Sequence, residues 1–190
     1  MAQDDLGSGS PRALDALAGH VVVVTGPPGA GKSTVVARLV GLATLGALVH
    51  GDDFFHYVKS GWIPPWEAAS AAQNGTVVDA LAAAADAYAR GGYLTVVDGI
   101  IGPWFLERFR SATRASVHYV VVRPSKEIAL VRGTARAEPK LNDVAPIAKM
   151  HDEFAHLGVY ERHVVDNSFQ TVEDTVDLVA NGLTDGRFRL

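Results

Sequence analysis

Val21-Val22-Val23-Val24-Thr25-Gly26-Pro27-Pro28-Gly29-Ala30-Gly31-Lys32-Ser33-Thr34 decides the fold. The valine run reads as a strand buried on both faces, because parallel strands covered by helices are near-continuously apolar. Gly26 to Ser33 fits G-x-x-x-x-G-K-[ST], in which glycines let successive backbone N–H groups turn into one cavity. A helix starting at Gly31 adds the positive end of its dipole. Gly26, Pro27, Pro28, Gly29, Ala30, Gly31, Lys32, Ser33 and Thr34 are therefore the candidate nucleotide-phosphate site. Lys32 can reach the β- and γ-phosphates, and Ser33 can offer its hydroxyl to Mg²⁺.

Outward from this stretch, strand-like and helix-like segments alternate. Strands are expected at 47–51, 93–98, 117–123 and 163–166. Helices are expected at 31–40, 67–90, 104–114, 125–137, 145–156 and 171–181. Pro11 opens a further short helix ending near Gly19, behind a Ser10 cap. Five strands alternating with helices imply an α/β fold, a parallel five-stranded sheet with helices on both faces. Residues 1–10, with Gly7-Ser8-Gly9-Ser10, read as a flexible tail before one domain spanning 11–190.

The chain has 190 residues, 17 Lys+Arg against 21 Asp+Glu, and no cysteine. The mild acidity argues against a nucleic-acid-coating protein. The absence of cysteine excludes disulfides, thiolate nucleophiles and cysteine-ligated metals. No apolar run reaches the ~18 residues of a membrane span, and no signal peptide is visible at the N-terminus. A cytoplasmic location is the expectation; oligomeric state is left open.

Ligands of such sheets bind beyond the carboxyl ends of the strands. The second strand ends in Gly51-Asp52-Asp53-Phe54-Phe55. Either carboxylate could take a proton from an attacking hydroxyl, Asp52 ahead of Asp53, while Phe54 and Phe55 flank an acceptor. Asp98, closing Val96-Val97-Asp98-Gly99, resembles a strand-end carboxylate that orients Mg²⁺. Arg132 and Arg136 lie four apart on one helical face, with Lys140 beyond, as in a lid that closes cations over the phosphates. Trp62-Ile63-Pro64-Pro65-Trp66 and Trp104 are expected to wall the acceptor, with Gln73 and Asn74 hydrogen-bonding it.

These residues together resemble the P-loop small-molecule kinases, most closely the chloramphenicol-phosphotransferase-like group. The resemblance runs from the phosphate loop through Leu94–Asp98, Val122-Arg123, Arg132-Gly133-Thr134-Ala135-Arg136 and His156-Leu157-Gly158 to Val165-Asp166. Tunicamycin-resistance proteins share it more distantly. Asp52-Asp53-Phe54-Phe55 is also similar to the acidic segment of uridine and nicotinamide riboside kinases, which would make Asp52 the base; an ungapped match to the chloramphenicol enzymes would favour Asp53. The resemblance implies a helical lid, ATP or GTP with Mg²⁺, and transfer of the γ-phosphoryl to a hydroxyl of a small molecule. An antibiotic acceptor, a nucleoside one among them, is what it favours. Kinases of sugars, nucleosides or nucleotide sugars, and a drug-binding protein that leaves its ligand unmodified, are the alternatives. The Trp62–Trp66 and Gly99–Trp104 segments have no clear counterpart in the chloramphenicol enzymes.

Overall fold

The valines of β1 (Val21–Thr25) sort by parity, as a two-residue pleat requires. Val22 and Val24 belong to one apolar cluster and Val21 and Val23 to another, on opposite faces of the sheet. All four are fully buried, each contributing on the order of 1.5–3 kcal/mol. The computed structural model describes residues 12–135 and 144–190. Within these residues the order is β1, α1 (Lys32–Leu39), β2 (Gly46–His50), α2 (Gly51–His56), α3 (Ala71–Arg90), β3 (Leu94–Asp98) and α4 (Pro103–Ser111). Then follow β4 (Val117–Val122), α5 (Lys126–Thr134), α6 (Val144–Glu153), β5 (Val164–Val165) and α7 (Val172–Thr184).

The sheet is five-stranded in the order β2-β3-β1-β4-β5, and every pairing between these strands is parallel. Residues of α1 and α7 pack with Val96, Val120 and Val122 on one face. Residues of α3 and α4, with Phe154, pack with Val97, Tyr119 and Val121 on the other. The expected α/β fold is therefore present, and β1 runs at its centre with the phosphate loop at its carboxyl end.

Differences from the expected elements have local causes. Pro11 lies outside the described residues, and Asp15–Leu17 is only a 3₁₀ turn. The Asp15 carboxylate accepts from the backbone N–H groups of Arg12 and Thr44, tying this turn to the loop before β2. The long helix starts at Ala71, after a 3₁₀ turn over Ala68–Ser70, because the Ser70 hydroxyl donates to the carbonyls of Pro65 and Glu67. The acidic pair that follows β2 lies in the first turn of α2. Ser125 caps α5, accepting from the Ile128 N–H, and Thr171 caps α7 in a capping box with Asp174.

One buried polar pair sits at the opposite end of the sheet from the phosphate loop. His20 Nδ1 and His118 Nε2 are 2.9 Å apart, and His118, only 2% exposed, has no partner for its Nδ1 among the described residues. Burial, then the nearby His20 and Arg189, push the His118 imidazolium down to about 4. Burial lowers His20 and His163 as well. An unfolded chain takes up these protons near pH 6.5 while the folded chain refuses them, so stability falls as pH drops below that value. Unfolding by denaturant at pH 5 should show the fold about 2 kcal/mol less stable than at pH 7.5. A flat profile over this interval would contradict the burial argument.

Candidate functional site

Positive φ at Gly26 (141°), Gly29 (80°) and Gly31 (88°) turns the chain sharply between β1 and α1. Two of these glycines are also required by space. A Cβ at Gly26 would lie 2.0 Å from the Val122 carbonyl oxygen, and one at Gly29 would lie 2.0 Å from that of Ala129. The loop is thus wedged between the end of β4 and the backbone of α5. Lys32, 7% exposed, donates from Nζ to the carbonyls of Gly26 (2.9 Å) and Pro27 (3.0 Å). Its ammonium therefore closes the loop from within, while Ser33 and Thr34 are exposed on the first turn of α1. Backbone curl, glycines that a Cβ would obstruct, an inward ammonium and a helix N-terminus fit a chain of phosphates.

A residue that the motif does not contain completes this loop. Asn167, buried just after β5, donates from Nδ2 to the Ala30 carbonyl at 3.0 Å. Its own carbonyl accepts from Arg132 Nη2 at 3.2 Å. The adjacent Ser168 hydroxyl accepts from the N–H of Ser125, the cap of α5. The segment after β5 therefore ties together the loop exit, the start of α5 and the first of the two candidate lid arginines. Arg136 and Lys140 lie outside the described residues. Asn167→Ala should remove the donor from Ala30, raise KM for the nucleotide about tenfold and cost about 1 kcal/mol of stability. Unchanged nucleotide KM would remove Asn167 from the site.

The ends of β2 and β3 meet beside the loop. Asp98 is buried, with Oδ2 3.6 Å from His50 Nδ1. A Cβ on the buried Gly51 would lie 3.1 Å from the Asp98 carbonyl oxygen, so α2 begins hard against β3. Phe54 packs on the apolar cluster below and meets Tyr57 edge-on. With Gly51 and Phe54 facing inward, a 100° step per residue sets Asp52 and Asp53 about equally far from the packed direction, on either side of the outer face. Both carboxylates are exposed, and Phe55 is half-buried. After β3, Ile101 is held at both backbone groups: its N–H donates to Thr25 Oγ and its carbonyl accepts from the Tyr119 hydroxyl, each at 2.9 Å. This fixes the approach to Trp104, whose ring meets Phe154 edge-on.

Gln73 and Asn74, expected to bond an acceptor, also bond the protein: Gln73 through both amide groups and Asn74 through Nδ2, its buried Oδ1 having no partner among the described residues. Gln73 accepts from the Ile63 N–H (2.8 Å) and donates to the Ile63 carbonyl (2.7 Å). Asn74 Nδ2 donates to the Pro65 carbonyl (2.7 Å) and to Ser70 Oγ (2.9 Å). Their place is behind the Trp62–Trp66 segment, which they hold in shape. Sequence reading also passed over Thr25, Tyr119, Asn167 and Ser168. Asp166-Asn167-Ser168, three polar residues directly after an apolar strand, was the signal available for the last two.

Among the described residues, no group of three or more His, Asp or Glu side chains could hold a metal ion. Ser33 and Asp98 still suit Mg²⁺, which takes few protein ligands and keeps waters and phosphate oxygens.

Comparison with solved structures places this architecture among known kinases by fold. A sugar kinase from Janibacter sp. aligns with TM-score 0.65 at 20% identity, over 87% of this chain and 94% of its own. The Deinococcus radiodurans tunicamycin resistance protein aligns with TM-score 0.66 at 12% identity, over 86% and 95%. Shikimate kinase from Acinetobacter baumannii aligns with TM-score 0.60 at 20% identity, over 92% and 97%. Comparison of the sequence with curated proteins returned no match. The model of the family AAA_18, described as an AAA domain, matches residues 22–154, from within β1 to just beyond α6. With its phosphate loop inside that span, the chain belongs to the AAA_18 family and has the P-loop kinase fold.

Proposed function

We propose that the protein is a kinase that moves the γ-phosphoryl of ATP or GTP to a hydroxyl of a small molecule. The observation that carries this reading is the gathering of exposed Asp52 and Asp53 and buried Asp98 at the sheet end that also carries the phosphate loop. Lys32 and the loop amides bind the phosphates; Ser33 and Asp98 would hold Mg²⁺, which would neutralise charge on the transferring group. Asp52, or its neighbour Asp53, accepts the hydroxyl proton as the acceptor oxygen bonds to phosphorus and the bond to the leaving nucleoside diphosphate breaks. Arg132, with Arg136, adds positive charge over the phosphates. Phe54, Phe55, Trp62, Trp66 and Trp104 border the acceptor.

An antibiotic acceptor, and with it a resistance role in the cytoplasm, is supported by the resemblance to antibiotic phosphotransferases. The tunicamycin resistance protein shares the fold. No helix among the described residues is long and apolar enough to cross a membrane. The test is a nucleotide-consumption screen with Mg²⁺ against antibiotics, nucleosides and sugars, read by mass spectrometry. An acceptor that gains one phosphoryl group is the expected result. Tight binding with no mass change would replace the kinase by a nucleotide-dependent binding protein.

A further inference from the structure

Asp98 closes β3, and among the described residues its buried carboxylate accepts no hydrogen bond. Its ion-pair contact, His50 Nδ1 at 3.6 Å, is too long for one. A carboxylate left in this way takes its direction from the backbone that carries it. The pleat gives that direction. Asp98 has the parity of Leu94 and Val96, so it faces the side of the sheet on which α1 packs, and the first turn of α1 carries Lys32 and Ser33. Oxygens without a donor on that side suit a divalent cation that takes few protein ligands.

After Asp98 the chain turns to the opposite face. Ile101 belongs to the apolar cluster of Val23 and Tyr119, across the sheet from α1. The bonds on its two backbone groups run to two different strands, Thr25 Oγ on β1 and the Tyr119 hydroxyl on β4. Thr25 and Tyr119 have no exposed surface and Ile101 only 2%. By contrast, the Gly99 N–H reaches the Val24 carbonyl only at 3.4 Å. Valine at 25 and phenylalanine at 119 would fill the same space with no polar atom to satisfy. The hydroxyls answer a need of the backbone, because a turn that enters the core must find partners for its N–H and C=O groups. With either bond lost, residues 99–101 are free to lift from the sheet and to rotate Asp98 with them.

We propose that Thr25 and Tyr119 are positioning residues of the phosphoryl-transfer site. Their hydroxyls, acting through Ile101, hold the turn after β3 on the far face of the sheet and so keep the Asp98 carboxylate facing the helix that carries Ser33. This deepens the kinase reading and rests on it for the role of Asp98. Thr25 also directly precedes Gly26, so the residue that leads into the phosphate loop is one of the two that fix the neighbouring strand end.

The test reads divalent-ion binding directly. Mn²⁺, standing in for Mg²⁺, is titrated into the full chain saturated with a non-hydrolysable ATP analogue, and electron paramagnetic resonance reports the free ion. Calorimetry gives the affinity for the metal-free analogue. The parent should hold Mn²⁺ more tightly than the analogue does by itself. Thr25→Val and Tyr119→Phe should each weaken that hold about tenfold, with affinity for the metal-free analogue changed by no more than about twofold. Thr25→Ser, which keeps the hydroxyl, should restore it. The double variant should lose no more than the weaker single variant, and neither change should add to Asp98→Asn, because all act through one carboxylate. Melting temperatures should fall by about 3–10 °C in either single variant, which leaves the domain folded at room temperature. Lowered melting temperatures with Mn²⁺ held as in the parent would make the hydroxyls purely structural and overturn the proposal. Losses that persist in the Asp98→Asn background, or a parent that adds nothing to the Mn²⁺ affinity of the analogue, would overturn it too. Phosphoryl transfer is scored separately by mass spectrometry. Its absence with every acceptor tested would sink the kinase reading and leave the positioning of Asp98 standing.

Discussion

Replacing Lys32 by alanine should lower phosphoryl transfer by about 10²–10³-fold or more. The ammonium is buried and hydrogen-bonded to the carbonyls of Gly26 and Pro27, so it both closes the loop and supplies positive charge inside it. Alanine leaves those carbonyls without a donor at about 1–2 kcal/mol in stability, which a folded domain tolerates. The loss should therefore appear in turnover and nucleotide affinity far more than in melting temperature. Lys32→Arg should fare little better, because a planar fork cannot take the position of a compact ammonium between two carbonyls. Nucleoside diphosphate release in a coupled assay measures the first quantity, and calorimetric titration with nucleotide the second. Turnover within tenfold of the parent would remove Lys32 from the reaction.

Asp52→Asn should lower kcat by about 10²–10⁴-fold while nucleotide affinity changes little. Asparagine keeps the size and place of the side chain on α2 but cannot hold the hydroxyl proton. Both carboxylates lie in the first turn of α2, and the resemblance to uridine and nicotinamide riboside kinases puts the base at Asp52, so Asp53→Asn should cost less. A reversed order would move the base to Asp53, and two near-wild-type variants would leave α2 without a catalytic role. The pair must be measured with the acceptor saturating, since a loss confined to acceptor KM reports binding.

The legible part of this protein was local. The valine run, the glycines and Lys32 are consecutive, and each obeys a rule that acts over a few residues. The structure adds only what presses on them, such as Val122 against Gly26 and Ala129 against Gly29. Strand ends were legible for the same reason: an apolar run stops and a carboxylate follows. The illegible part was tertiary. Gln73 and Asn74 are polar on an alanine-rich helix, which invites a ligand, yet Gln73 bonds the backbone of Ile63, and Asn74 Nδ2 bonds the Pro65 carbonyl and Ser70 Oγ. The Asn167 side chain meets Ala30 across 137 positions of sequence, a pairing that neither periodicity nor propensity encodes. The acidic pair was placed at the right strand end but not in a helix, because six residues opening on glycine carry too little pattern to announce one.

The position of β1 has a consequence for how the molecule is made. Its partners are β3 and β4, so Val21–Thr25 gains its first neighbour only when the chain has been synthesised to Asp98, and its second only at Val122. Until then a short, uncharged, β-branched segment has no strand to pair with inside its own molecule, which is the composition most prone to pair between molecules. Such non-local pairing also slows folding, since long loops must close before the contacts that reward them. Soluble yield should therefore depend on synthesis rate and temperature more than the stability of the finished fold would suggest, and slower expression in the cold should raise it.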